Sequence, residues 1–146
     1  MNLYSKRPGV GLMEMMLVLG IVIFLASVIM PRVGLFFVRI NKDKTKIILS
    51  KVYSGISRYT QDMGHPPLAE EGGINALIHR PKGPAGKDWQ GSYLPGETNI
   101  PLDGFKKDFY YASPPRKFKG VYKKFELYSM GDDEDNDASN DLRTGD

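Results

Sequence analysis

An apolar run from residue 10 to residue 30 that carries a single charge, Glu14, limits what this chain can become. About 20 such residues in a helix span the hydrocarbon core of a bilayer, so the segment belongs in lipid or against apolar surface of its own kind. The carboxylate sharpens that requirement. An acidic side chain deep in a membrane helix costs on the order of 3 kcal/mol and tends to have a partner and a function. No Lys or Arg lies within the run to serve as that partner.

Lys6, Arg7, Pro8 and Gly9 stand directly before the run. A secretory signal has an apolar core of about 7 to 15 residues with a small-residue cut behind it; here the candidate cut, after Gly9, lies in front. Cleavage there removes the basic leader, keeps the helix and leaves a free amine on Val10, four residues before Glu14. That amine reaches the carboxylate of its own chain poorly. Between staggered parallel helices, the amine of a neighbouring copy meets it in a low dielectric that strengthens the pair and penalises an unpaired carboxylate. The expectation is a homopolymer.

The order Lys6-Arg7-Pro8-Gly9-Val10-Gly11-Leu12-Met13-Glu14-Met15-Met16 resembles the leader junction of type IV pilins and type II secretion pseudopilins. Shared are a basic leader, Gly before the cut and Glu at the fifth mature position. The resemblance implies a prepilin peptidase that cleaves between Gly9 and Val10 and N-methylates Val10, with Glu14 and Val10 as the assembly pair. Val10 stands where the family usually has Phe or Met, and Gly11 where it has Thr; neither change removes the Gly9 and Glu14 pair.

Beyond the run, Ile40, Ile48, Val52, Ile56, Tyr59 and Met63 keep one apolar stripe at helical spacing. Lys42, Lys44, Lys46, Lys51 and Arg58 occupy much of the rest. One long helix is expected over about residues 10–62, bent or loosened near Pro31 and stopped by Gly64 with Pro66 and Pro67 beyond. The organisation read from this is a leader at 1–9, a membrane-spanning and filament-core helix at 10–30, an amphipathic helix at 31–63 and a globular head at 64–146. Lys and Arg are denser after the apolar run than before it, which by positive-inside counting favours a cytoplasmic C-terminus. The leader junction implies the opposite, with the leader cytoplasmic and the head exported, and it is followed because prepilins are handled by dedicated machinery.

A head of roughly 85 residues has a marginal core and often needs a staple. The chain has no cysteine, so metal binding or assembly must supply any extra stability. The net charge of +3 conceals an asymmetry: residues 106–124 hold seven Lys or Arg against Asp108, and residues 132–146 hold seven acids against Arg143. Mutual compensation, within the head or between subunits, is the simplest reading.

Three stretches narrow the family. Tyr59-Thr60-Gln61-Asp62-Met63-Gly64-His65-Pro66-Pro67, then Glu71-Gly72-Gly73-Ile74-Asn75-Ala76-Leu77, and Trp89-Gln90-Gly91-Ser92-Tyr93-Leu94 closely resemble the major pseudopilins of type II secretion. Pro101-Leu102-Asp103-Gly104-Phe105 followed by Asp108-Phe109-Tyr110-Tyr111 resembles a further stretch of that family, with Gly104 and Phe105 in place of its Pro and Trp. Trp89, Phe105, Phe109 and Tyr111 are expected to pack the small head rather than bind a substrate. Residues 71–77 form a short helix over the stalk. Val121, Phe125 and Leu127 alternate with Tyr122, Lys124, Glu126 and Tyr128 as in a half-buried strand, which pairs with residues 107–112. The expected fold class is α+β and type IV pilin-like: a long N-terminal helix on a small antiparallel sheet, with a C-terminal metal-binding loop.

Residues 129–142 offer many oxygen ligands just after that strand, and hard donors at this density favour calcium. An EF-hand starting at Asp133 is excluded, because Ala138 falls where its Gly is required and Thr144 where its bidentate Glu belongs. A solvated flexible tail accounts for the composition equally well. The family resemblance implies a calcium loop in which Ser129, Gly131, Asp133 and Asp141 take the matching positions, with the Met130 carbonyl as a further ligand. Asp135, Asp137, Ser139 and Asn140 compete as ligands.

With two histidines, His65 and His79, in no catalytic spacing, and no cysteine, the chain lacks an enzyme's constellation. Lys106, Lys107, Arg116, Lys117, Lys119, Lys123 and Lys124 interleave with aromatics, as in a nucleic-acid binder or an ordinary strand pair with a basic outer face. Nucleic acid is not expected as a partner. The reading is therefore a structural subunit that the resemblance implies leaves the inner membrane, polymerises into a periplasmic pseudopilus driven by a separate cytoplasmic ATPase, and exports folded proteins across the outer membrane. Its implied partners are its own copies, minor pseudopilins, the inner-membrane assembly platform, the prepilin peptidase and inner-membrane lipid. The alternative is a type IV pilin-like subunit for DNA uptake or adhesion.

Overall fold

In the computed structural model, residues 11–132, 142 and 143 are described. One helix, α1 (Leu12–Met63), is followed by short 3-10 turns at Ala69–Glu71, Gly73–Leu77 and Pro84–Gly86 and by three strands, β1 (Tyr110–Ala112), β2 (Glu126–Ser129) and β3 (Leu142–Arg143). The strands form one antiparallel sheet in the order β1-β2-β3. By compactness the chain divides into Met1–Phe37 and Val38–Asp146.

In the first unit the helix is almost wholly apolar. Its helical conformation continues through Pro31, so the hydrogen bond that proline forfeits there does not end it. In the second unit α1 becomes the core of the head. Thr45, Leu49, Val52, Ile56 and Tyr59 are buried at spacings of four, three, four and three residues, which keeps them on one face. Leu49, one residue on from the expected Ile48, lies on that stripe, and Ile48 packs against it half-buried. Gly64 ends the helix as expected: its φ is +80° and its N–H donates to the Thr60 carbonyl at 2.9 Å, a left-handed stop that glycine adopts without a Cβ penalty.

Ala76, Leu77, Tyr93, Leu94, Phe109 and Leu127 close over the helical stripe. The stretch expected as a short helix over the stalk is two 3-10 turns, and its Ala76 and Leu77 are the residues that reach the core. Trp89 fixes the next segment by donating from Nε1 to the Ala76 carbonyl at 2.8 Å, and Tyr93 N–H donates to the Leu77 carbonyl at 2.7 Å. Tyr59 donates to Glu71 at 2.9 Å, and the same Oε2 accepts from Leu68 N–H at 3.0 Å. Burial first, and this hydrogen bond second, push the Tyr59 hydroxyl well above its ordinary pKa, so it remains the donor.

Two sequence expectations are corrected. Phe109 is buried and Trp89 and Tyr111 pack against the core, but Phe105 is half-exposed and lies outside that cluster. The strand expected from residue 121 begins at Glu126, and Val121 is exposed. All four residues of β2 are buried, so the alternation that placed Glu126 and Tyr128 outward fails. The reason is a charge bound inside a loop: Glu126 accepts the backbone N–H of Lys117 at 2.9 Å and that of Phe118 at 2.9 Å.

Gly104 meets α1 more closely than any side chain allows. A Cβ there would stand 2.0 Å from the Asn41 carbonyl oxygen, and its N–H donates to Thr45 Oγ1 at 2.9 Å while Thr45 donates to Asn41 O at 2.8 Å. Substitution Gly104→Ala is therefore expected to push the turn off the helix and destabilise the head by about 1–3 kcal/mol, read as a lower urea midpoint with an unchanged m-value.

Candidate assembly helix and acidic loop

Glu14 lies in the first turn of α1, where a carboxylate complements the helix macrodipole. It is exposed, and among the described residues it forms no ion pair. Backbone geometry around it is ordinary: the N–H groups of Glu14 and Met15 donate to the Gly11 carbonyl at 3.0 and 3.1 Å. Between residues 12 and 37 stand 19 of the chain's exposed large apolar side chains, Leu12 at 80% and Leu35 at 75% among them. A single stretch of this helix reaches mean hydropathy 2.6 with none of it buried. Exposed apolar surface on this scale marks contact with a membrane or with another protein. Gly9 and Val10, the expected processing pair, lie outside the described residues.

The second candidate is the connection from β2 to β3. Its ends are held side by side, with Ser129 opposite Leu142 across the antiparallel pair. Residues 130–141 link these strand ends and carry Asp132, Asp133, Glu134, Asp135, Asp137 and Asp141 and no Lys or Arg. Oxygen donors of this kind suit a hard divalent cation. Of the expected ligands only Met130 falls among the described residues, half-buried between Ser129 and Gly131. Asp133, Asp135, Asp137, Ser139, Asn140 and Asp141 lie outside them. Among the described residues no cluster of three acidic, His or Cys side chains could hold a metal.

The entrance to this loop is built by a residue to which sequence reading gave no role. Asp103 is 4% exposed. Its Oδ1 accepts the N–H groups of Phe105 and Lys107, each at 2.8 Å, and its Oδ2 accepts the Ser129 hydroxyl at 2.5 Å. Ser129 Oγ in turn accepts Gly131 N–H at 3.1 Å, and Gly131 turns the chain with φ +76°. The hydroxyl is therefore committed to Asp103 and Gly131, which assigns Ser129 to shaping the loop's start. The Asp-Gly pair at 103–104 is a turn signal, but nothing in it points to Ser129, 26 residues away.

At the other end of β2, Glu126 organises the basic connection from β1. Burial raises the pKa of its carboxyl, but the N–H groups of Phe118, Lys117 and Arg116 and the charge of Arg116 outweigh that and hold it below its ordinary value. Lys117 Nζ stands 5.1 Å from the centre of the Tyr128 ring, and the Arg143 guanidinium 5.0 Å from that of Phe118, within the range of cation–π attraction.

The chain as a whole is similar to known proteins. A family model described as type II secretion system (T2SS), protein G, matches residues 38–144. The chain belongs to that family. It is 26% identical over 132 residues to the type II secretion system core protein G of Vibrio cholerae serotype O1, covering 90% of this chain and 86% of that one. To the protein of the same name from Klebsiella pneumoniae it is 25% identical over 142 residues, covering 94% of each. The major pseudopilin from the type 2 secretion system of enterohaemorrhagic Escherichia coli shares the fold, with a TM-score of 0.53 and 19% identity over 73% of this chain and 87% of that one. Membership of the protein G family makes this chain a type II secretion component, and its fold is that of a major pseudopilin. Its apolar helix is a candidate membrane anchor.

Because Glu126 is held below its ordinary pKa, its ionised form stabilises the folded head above the pKa of the unfolded chain, and that contribution is lost as pH falls through the lower folded value. Substitution Glu126→Gln is expected to lower the melting temperature at pH 7 by several degrees, for a loss of about 1–3 kcal/mol. Melting temperatures of the two proteins should converge once the pH falls below the lowered folded-state pKa of Glu126.

Proposed function

We propose that the chain is the non-catalytic building block of a periplasmic pseudopilus, cut between Gly9 and Val10, N-methylated on Val10 and polymerised through its apolar helix. The observation that carries this reading is the lone carboxylate of Glu14 in the first turn of a helix whose apolar side chains are exposed throughout residues 12–30. A monomer in water leaves that surface uncovered, and a monomer in lipid leaves the carboxylate without a cation. Packing beside identical helices answers both needs, with the Val10 amine of one copy on Glu14 of the next. Residues 1–9 then act as the leader, 10–30 as membrane helix and later filament core, 31–63 as the amphipathic stalk and 64–146 as the periplasmic head.

The partners follow from that cycle: a prepilin peptidase, inner-membrane lipid before extraction, an inner-membrane assembly platform, minor pseudopilins, and other copies of the chain. Growth of the polymer, driven by a separate cytoplasmic ATPase, moves folded proteins through the outer membrane. Calcium is the proposed ligand of the 130–141 connection, held by the Met130 carbonyl, Asp133 and Asp141, with Asp135, Asp137, Ser139 and Asn140 as competing donors. Support comes from the six carboxylates and the pinned strand ends. Bound there, calcium supplies charge neutralisation and rigidity; Asp103 and Ser129 hold the loop's first turn.

Substitution Glu14→Ala is expected to leave membrane insertion intact and abolish filaments seen by electron microscopy; normal filaments would remove the register role. Asp133→Ala should lower the melting temperature of the head when calcium is supplied and leave it unchanged in chelator. An equal loss in both buffers would assign Asp133 to packing and end the calcium reading of that residue.

A further inference from the structure

We propose that the basic connection between β1 and β2 docks the acidic segment 130–141 of a second copy, head to tail, an inference that rests on the polymer reading above. Residues 113–125 carry Arg116, Lys117, Lys119, Lys123 and Lys124 and no acid. All five are exposed at the surface of the connection, and Lys117 lies over the Phe118 and Tyr128 rings. Among the described residues, the carboxylate bonded to this connection is Glu126, which is buried beneath it and occupied by its N–H groups. It fixes the backbone of the basic surface without presenting a negative charge outward.

The two connections leave β2 from opposite ends. Ala112 faces Glu126 where the basic connection joins the strand, and Ser129 faces Leu142 where the acidic segment begins and ends. Three residue steps along a strand put the two departure points about 10 Å apart. The residue that β3 brings back to the basic end is Arg143, beside Phe118, which adds positive charge there. One bound divalent cation would leave the six carboxylates of 130–141 with a formal charge of −4, so the complementarity survives calcium.

Opposite charges at opposite ends of one small sheet favour a contact between different surfaces of successive copies. Such a heterologous contact repeats without closing, as a filament requires. Its role is to set register and speed the arrival of each subunit, which electrostatic complementarity does more effectively than it adds affinity.

The chain has no cysteine, so its full-length form can be cross-linked at chosen points. Lys119→Cys in one tagged copy and Asp135→Cys in a copy with a different tag are expected to give a mixed disulfide dimer on mild oxidation in membranes, with a yield that falls several-fold between about 0.05 and 0.5 M salt. With both cysteines in one chain, a ladder of oligomers is expected; a product bridged only within single chains would overturn the proposal. Independently, joint reversal of Arg116, Lys119, Lys123 and Lys124 to Glu should cut filament yield roughly tenfold. Co-expression with a chain in which Asp132 and Glu134, acids of the segment not proposed as calcium ligands, are reversed to Lys should restore it. If only a chain carrying both reversals recovers, the charges pair within one head and the proposal falls. Wild-type filament yield from the basic-reversed variant would overturn docking while leaving the polymer reading in place, whereas mixed dimers without filaments would uphold docking and remove the polymer.

Discussion

One helical face carries this protein's head. Thr45, Leu49, Val52, Ile56 and Tyr59 are the floor on which every later segment is laid, and with no disulfide available the remaining chain has to find its stability by fitting that floor closely. Gly55 and Gly104 make the fit possible: a Cβ on the first would stand 3.0 Å from Leu94 Cδ2, and on the second 2.0 Å from a helix carbonyl oxygen. Within the head the helix supplies four of the ten residues of the buried core cluster, against which the other six pack.

The sheet has a different economy. Three strands of two to four residues bury little by themselves, and short strands of this kind are marginal without support. Two buried carboxylates supply it. Asp103 gathers the turn at 103–107 and the end of β2; Glu126 gathers the basic connection at the strand's start. Each is satisfied mainly by backbone N–H groups, the arrangement in which a buried carboxylate keeps its charge at tolerable cost. Through them a four-residue strand positions a basic connection at one end and an acidic one at the other.

That polarity bears on assembly. The apolar helix offers surface for many partners but little to specify an axial register, since apolar packing is non-directional. In the polymer proposed above, a single carboxylate in its first turn and complementary charges on the head would be the directional elements. Family membership places the chain in type II secretion.

Much of this was legible along the sequence, wherever the information is local or periodic. The apolar run, its one acid, the stripe that resumes after Pro31, and the stop at Gly64 depend on spacings within a few turns of one helix, and the observed α1 follows them. The polar core was not legible. Glu126 reads as the outer face of a strand, and nothing local marks Thr45 or Ser129 for burial, because their partners lie 8 to 59 residues away in sequence. A sequence fixes which residues are able to bury themselves; only the fold decides which polar groups find enough donors to follow them.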